Sequence, residues 1–499
     1  MRSVDAPSDL VRRLRGRFVE TGYTIDGVRE RLGDMAASAL AREEIVPALR
    51  ATRDADPLAA LIRLWWLGAP VSMAAADLPL QELIEAGLLV RLGDSVQATV
   101  HLQPWDTGTG DPAYVVSDRK VRPGDPSLRP DHVVGAGGAS ANLAQLGWTA
   151  PVGRALDLGT GCGVQVLHLA PRAEHVVATD VNRRALRLAR LSWGLSGVTG
   201  VEAREGSTYD PVDGERFDLV VSNPPFVIAP EARYTYREAG RRGDEFCRDL
   251  VRRTPRHLAQ GGQARFLANW LHVKGEDWQD RVGGWLAETG CDGWAVQRDV
   301  QDPAEYVELW LRDSAEHGTS AYRERYDEWL GWFESMDVTG VGFGWIALHD
   351  SGSLSPLVRV EEMTQPVEPP SGALVGEVLR AARTAHELSD EDLLDARLKV
   401  AEGVVEERVG PPGADDPSRI VLRQTRGARR TVAVGTVEAA LAGVCDGDLP
   451  TRPLLAAIAE LTGEDPAAVL REAPAALRPL IAEGFLDVTT TVATVASLR

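Results

Sequence analysis

From residue 154 onward the chain alternates short apolar runs with segments of helical period, the rhythm of an α/β protein. Arg154 to Leu158 is a short apolar strand that enters a glycine-rich turn, Gly159-Thr160-Gly161-Cys162-Gly163, followed by an apolar helix. His175 to Asp180 reads as a second strand ending in an acid, Val201 to Glu205 as a third and Phe217 to Ser222 as a fourth. Gln263 to Asn269 supplies a fifth after Gly261-Gly262, and Trp294 to Val300 and Gly342 to His349 the last two, seven in all. Between those two, Tyr322 to Trp332 predicts a helix whose Tyr326, Trp329 and Trp332 recur at helical spacing, a pattern of core rather than of a base-stacking platform.

The flanks differ. The first hundred residues carry helical patterns. Leu78 to Val90 then reads as a helix stopped by Gly87 and followed by a strand, with Gly93-Asp94 as a turn before Val96 to Leu102. Leu480-Ile481-Ala482-Glu483-Gly484-Phe485-Leu486 repeats that pattern near the other end. The expected organisation is a helical, winged-helix-like domain over 1–102 and a linker with a hairpin around Tyr114-Val115-Val116 over 103–130. A core over 131–350, a proline-rich linker over 351–371 and a C-terminal winged-helix-like domain over 372–499 follow. At 499 residues the chain exceeds what one core usually holds. Such modules recognise protein or serve as packing as readily as they bind DNA, so the fold alone assigns them no ligand.

The chemistry concentrates at the end of the fourth strand, where Asn223-Pro224-Pro225-Phe226 follows the apolar run. In an open α/β sheet ligands bind at the carboxyl ends of strands. The Asn223 side-chain oxygen and the Pro224 carbonyl can accept hydrogen bonds from one planar nitrogen while the Phe226 ring covers its plane. Alone, the motif is also a rigid turn. The glycine turn spaces its residues as D-x-G-x-G-x-G from Asp157, which differs from the dinucleotide fingerprint because the third glycine is Gly163 and position 164 is valine. Its glycines permit a tight turn and let backbone N–H groups approach a ligand. Asp180 stands at roughly the twenty-residue offset at which a carboxylate meets ribose hydroxyls, or else serves as a helix N-cap. The glycines within Asp131 to Ser140 let backbone approach the same ligand from the opposite side, with His132 in a structural role.

With these motifs in this order, the chain resembles the class I S-adenosylmethionine (SAM) dependent methyltransferases, and within them the N-methyltransferases bearing Asn-Pro-Pro-aromatic. The closest branches are the release-factor glutamine methyltransferases and the rRNA and DNA enzymes acting on exocyclic amines. The resemblance implies a Rossmann-like core and SAM as cofactor. It implies that Gly159, Thr160, Gly161 and Gly163 line the methionine moiety, that Asp157 orients its amino group and that Asp180 holds the ribose. Asn223, Pro224, Pro225 and Phe226 are implied as the catalytic corner. Where family members often place an acid against adenine, this chain has Gly206-Ser207-Thr208, leaving Ser207 as the adenine contact.

Composition then narrows the partners. The net charge of −19 repels polyphosphate over most of the surface, which favours a protein substrate and leaves nucleic acid as the alternative. Two basic clusters stand against that charge, Arg233 to Arg256 and Arg419 to Arg430, each also readable as a solvated face. The four cysteines lack zinc spacing, so no metal is expected, and free thiols fit a cytoplasmic location. No apolar run approaches a membrane span. The function expected is methylation of a planar NH2 nitrogen, a glutamine side-chain amide of a protein such as a translation release factor. The alternatives are guanine N2 or adenine N6 of rRNA, tRNA or DNA, and a SAM-binding regulator without catalysis.

Overall fold

The computed structural model describes residues 6–54, 56–120, 129–146, 150–230, 242–312, 320–368, 372–412 and 417–489. Arg233, Arg237 and Arg241 of the first basic cluster lie outside them. The chain forms two compact units, Met1–Glu362 and Met363–Arg499.

The first unit is built on a sheet of β1 (Val152–Leu158), β2 (Ala173–Asp180), β3 (Val201–Glu205), β4 (Phe217–Ser222), β5 (Leu258–Val273), β6 (Asp292–Gln301), β7 (Val338–His349) and β8 (Val358–Glu362). Their order is β8-β6-β7-β5-β4-β1-β2-β3. β1 pairs in parallel with β2 and β4, as do β2 with β3 and β4 with β5, while β7 runs antiparallel to β5 and β6. This is a Rossmann-like α/β core. β8 adds an eighth strand to the seven expected, parallel to β6, inside the stretch 351–371 read as linker. Its alternating charges, Val358-Arg359-Val360-Glu361-Glu362, give no apolar run to mark it, as suits an edge strand.

The central strands are covered on both faces, which is why β4 reads as a continuous apolar run with Phe217, Leu219, Val220 and Val221 buried. The covering helices are α1 (Gly138–Gln145), α2 (Val164–Leu169), α3 (Arg183–Ser196), α4 (Glu245–Arg253), α5 (Trp278–Ala287), α6 (Pro303–Arg312) and α7 (Ser320–Glu334). The expected helix Tyr322 to Trp332 falls within α7, and its Trp329 is buried in a cluster with Tyr306, Phe333 and Val227. α3 begins at Asn182, whose side chain caps the Arg184 N–H, and stops at Gly197 in the left-handed region at φ 75°.

α3 is also the wall shared with the N-terminal residues. The hairpin Val100–Trp105/Ala113–Asp118 starts before position 103, where a boundary was expected, and its strand Ala113–Asp118 is buried. Ser196 and Ser192 of α3 accept from the N–H groups of Tyr114 and Val116 at 2.9 Å each. One continuous apolar cluster therefore runs from Leu10 through Trp65 and Tyr114 to Trp193 and Val221. Upstream, the helix Leu80–Glu85 stops at Gly87 (φ 74°) and leads into the paired strands Leu89–Leu92 and Ser95–Ala98.

In the second unit, Arg397–Val400 pairs with Asp446–Pro450 and Leu486–Thr489, and a second sheet joins Val404–Val409, Arg419–Gln424 and Thr431–Val434. The helix Pro466–Ala482 stops at Gly484 (φ 74°) before Leu486–Thr489, repeating the N-terminal helix, glycine and strand. Arg423, Arg426 and Arg430 of the second basic cluster pair with Glu407, Glu402 and Glu483, so much of its charge is neutralised on the spot. Among the described residues no helix is long and apolar enough to cross a membrane.

One buried ion pair joins these layers. The Asp118 carboxylate accepts from Arg184 Nε at 3.0 Å and from the Val133 N–H at 2.9 Å, tying the hairpin, α3 and the segment before α1 together. Removing one partner strands a buried charge, so Asp118→Ala is expected to cost about 3–5 kcal/mol in chemical denaturation of the first unit.

Candidate functional site

A cavity of about 430 Å³ opens at the carboxyl ends of β1, β2 and β4, where the strand order reverses. Its lining brings together Gly159, Thr160, Gly161, Asp180, Ser207, Asn223, Pro224, Pro225 and Phe226. Asp157 and Gly163 are not part of that lining.

The glycine loop is held by its own protein acceptors. Gly159 and Thr160 donate their N–H groups to the Thr179 carbonyl at 2.9 and 2.8 Å, Gly161 donates to Asp180 Oδ2 at 2.8 Å, and Gly163 to the Thr160 carbonyl at 2.8 Å. Three of these N–H groups are therefore spent on the end of β2 and one inside the loop. What Gly159 and Gly161 provide is room: they sit at φ 75° and 55°, and a Cβ on either would meet no protein atom within 4 Å. Gly163 serves packing instead. A Cβ there would come within 2.5 Å of Trp193 Nε1 and 2.9 Å of the Ala189 Cβ, so its lack of a side chain lets α3 approach the loop. The structure thus places Gly163 against α3, outside the cavity lining, between Cys162 and Val164, which are part of it.

Asp157 lies behind the loop, 1% exposed, where its Oδ2 accepts from Thr160 Oγ1 at 2.6 Å. Its link to the cavity is Thr160, which lines it. Burial pushes its carboxyl up to about 7, the Thr160 hydroxyl opposes that, and the Asp180 charge adds to it. Asp180 is likewise raised by burial, against the N–H bonds from Asn182 and Gly161. It does not cap α3; Asn182 does, and Asp180 Oδ1 accepts the Asn182 N–H at 2.8 Å. Each Asp180 oxygen, able to accept more than one hydrogen bond, retains capacity toward the cavity.

Across the cavity, the Ser222 hydroxyl donates to the Leu158 carbonyl at 2.6 Å and locks the end of β4 to the end of β1. The Asn223 side-chain amide, half-buried, makes no hydrogen bond among the described residues. The Phe226 N–H donates to the Pro224 carbonyl at 2.8 Å, a three-residue turn about Pro225, whose fixed φ suits it. That bond takes one of the two lone pairs of the Pro224 carbonyl and leaves the other.

The remaining wall comes from His132 to Gly135 with Ala139 and Ser140, so the glycine-bearing segment does face the loop from the other side. Burial lowers the His132 imidazole below its ordinary value, opposed by Asp118, 3.8 Å away. Burial pushes the Cys162 thiol up to about 12, which leaves it as packing. Ser207 is exposed at the rim, next to Thr208, whose φ of 46° is braced by a 2.9 Å bond from Arg253. Gln165, Phe246, Leu250 and Trp310 also line the cavity and were not foreseen. Gln165 lies on the apolar helix expected after the glycine turn, while the helices carrying Phe246, Leu250 and Trp310 belong to no motif read from the sequence.

The residues fit SAM. The cavity size is that of a small-molecule site, the two glycines leave a side-chain-free floor, and the Asp180 carboxylate, with spare acceptor capacity, also lines it. Because the folded Asp157 carboxyl sits above its unfolded value, its contribution to stability is full below about pH 4 and is lost as pH rises through about 7, a loss of about 2–4 kcal/mol. The thermal midpoint of ligand-free Asp157→Asn, measured against the parent protein, is therefore expected to gain between about pH 4 and 7 and to level off above that.

Residues 138–277 match the family described as methyltransferase small domain, and residues 20–99 match a domain of unknown function, DUF7059. The release factor glutamine methyltransferase of Xylella fastidiosa is 37% identical over 158 residues, 31% of this chain and 53% of that protein. That of Deinococcus radiodurans is 36% identical over 161 residues, 30% of this chain and 57% of that protein. Ribosomal RNA small subunit methyltransferase C of Serratia proteamaculans is 32% identical over 120 residues, 23% of this chain and 31% of that protein. The chain thus spans about half the length of the release factor relatives it matches. The segment that matches the methyltransferase small domain, 138–277, carries the glycine loop and the corner at the end of β4.

Proposed function

We propose that this protein is a SAM-dependent N-methyltransferase acting on the side-chain amide of a glutamine in a protein. One observation carries the reading: an Asn223 amide without an internal partner lines the same cavity as the open glycine floor and Asp180. When bound, SAM supplies a methyl group already activated by its sulfonium. Asp180 would accept from the ribose hydroxyls, Gly159 and Gly161 would underlie the methionine moiety, and Ser207 would stand beside the adenine. Asp157, acting through Thr160, would lend negative charge beneath the amino group.

The chain's own task is position and charge. An amide nitrogen is a poor nucleophile because its lone pair is delocalised. Accepting its two N–H bonds at Asn223 Oδ1 and at the second lone pair of the Pro224 carbonyl would turn that lone pair toward the methyl. Both acceptors gain strength as positive charge grows on the nitrogen, so they favour the transition state over bound substrate. Phe226 covers the plane of the amide. As the nitrogen gains the methyl and S-adenosylhomocysteine is left, the nitrogen becomes strongly acidic and would give up one of its two protons to water. No strong base is therefore required.

The protein substrate is supported by the charge of −19 and by the likeness to proteins named release factor glutamine methyltransferase. A second reading, an exocyclic amine of guanine or adenine in nucleic acid, is supported by the likeness to ribosomal RNA small subunit methyltransferase C. Asn223→Ala is expected to lower kcat roughly 10²-fold or more with SAM affinity kept; near-parental turnover would remove Asn223 from the chemistry. Incubation with tritiated SAM and cell extract is expected to leave label that nuclease spares and protease releases. Label lost to nuclease would decide for the second reading.

A further inference from the structure

The acceptor end of the cavity is completed from outside the matched domain. The family match ends at residue 277, yet Trp310, on α6, lines the cavity together with Asn223 and Phe226. α6 reaches the corner by a defined anchorage. The Ile228 N–H, two residues beyond Phe226, donates to the Tyr306 hydroxyl at 2.8 Å, and Asn269 Nδ2 donates to the same oxygen at 3.2 Å. Tyr306 is fully buried, and Trp310 follows one turn later with its ring at 6.1 Å and 63° to that of Tyr306. Val227, Ile228 and Ala229 share an apolar cluster with α6 and α7. The helix is thus fastened to the chain leaving the catalytic corner, and the fastening sets where its indole stands.

We propose that Trp310 is a specificity-determining residue for the acceptor: its indole and the Phe226 ring form the walls between which the planar amide enters. This rests on reading the cavity as a methyl-transfer site and adds that its selectivity for a flat group is supplied by a helix outside the common domain. Two features argue for this role over simple packing. Trp310 is only half-buried although its neighbours Tyr306 and Val307 are fully buried, and it is an aromatic lining residue of the cavity that the corner itself does not supply. An aromatic wall favours flat acceptors by dispersion and by its quadrupole without competing for the two N–H groups that Asn223 and Pro224 are to accept.

The test compares the full-length protein with Trp310→Ala and Trp310→Phe. Cell extract and tritiated SAM serve as substrates, and the label is counted separately in the protein and RNA fractions. SAM affinity is measured by calorimetry without acceptor, and folding by the thermal midpoint. Trp310→Ala is expected to raise the half-saturating amount of extract about tenfold or more, with kcat less affected and SAM affinity within about twofold. Trp310→Phe, which folds with an aromatic ring in place, is expected to recover most of the loss. Parental half-saturation in a folded Trp310→Ala overturns the proposal. So does loss of SAM affinity in Trp310→Phe, which would place the indole on the cofactor side. Label confined to RNA overturns the glutamine reading of the site, while the same comparison of variants on that RNA still decides the role of Trp310.

Discussion

The parallel pairing of β1 with β4 is the constraint from which the rest follows. Ala155, Leu156 and Asp157 face Leu219, Val220 and Val221 in register, and the Ser222 hydroxyl closes the pair on the Leu158 carbonyl at 2.6 Å. Both strands therefore end at the same level at the point where strand order reverses. The glycine loop leaves one and Asn-Pro-Pro-Phe leaves the other, so they face a common space. A slip of one residue in this register would send every side chain of β4 to the opposite face and dissolve the cavity. Such a slip would also break the Ser222–Leu158 bond and carry Asn223 off the cavity wall.

Around that pairing the polar groups divide into those that build and those that remain available. Asp118 with Arg184, Ser192, Ser196 and most loop N–H groups are consumed in holding α3, the hairpin and the glycine turn. The Asn223 amide, part of the Asp180 carboxylate and one lone pair of the Pro224 carbonyl are left over. All three line the same cavity, where a ligand could meet them. The raised carboxyls of Asp157 and Asp180 belong to the same economy, because two acids near one another beneath an apolar lining favour a cationic guest.

Much of this was legible in the sequence, because motifs that depend on local spacing declare themselves. The seven central strands, the acid at Asp180 and the corner at Asn223 each sit where an apolar run ends. What the sequence withheld depends on contacts between distant segments. The loop's glycines look alike in spacing, yet Gly159 and Gly161 open onto the cavity while Gly163 is pressed by Trp193, thirty residues on. β8 is an edge strand whose charges hide it. The hairpin beside Tyr114 resembled a linker because of its Pro, Gly and Asp content, although α3 buries its second strand. Trp310 belongs to no motif in the sequence; the bond from Ile228 to Tyr306 ties its helix to the chain leaving the corner.

The account rests on one geometry, a cofactor seated on the glycine floor opposite the Asn223 amide, and a crystal structure of the protein with S-adenosylhomocysteine tests it most directly. The expected result is the ligand in this cavity with its ribose hydroxyls on Asp180, its adenine beside Ser207 and its sulfur turned toward Asn223. Ligand bound elsewhere, or bound here with its sulfur facing away from Asn223, would contradict it.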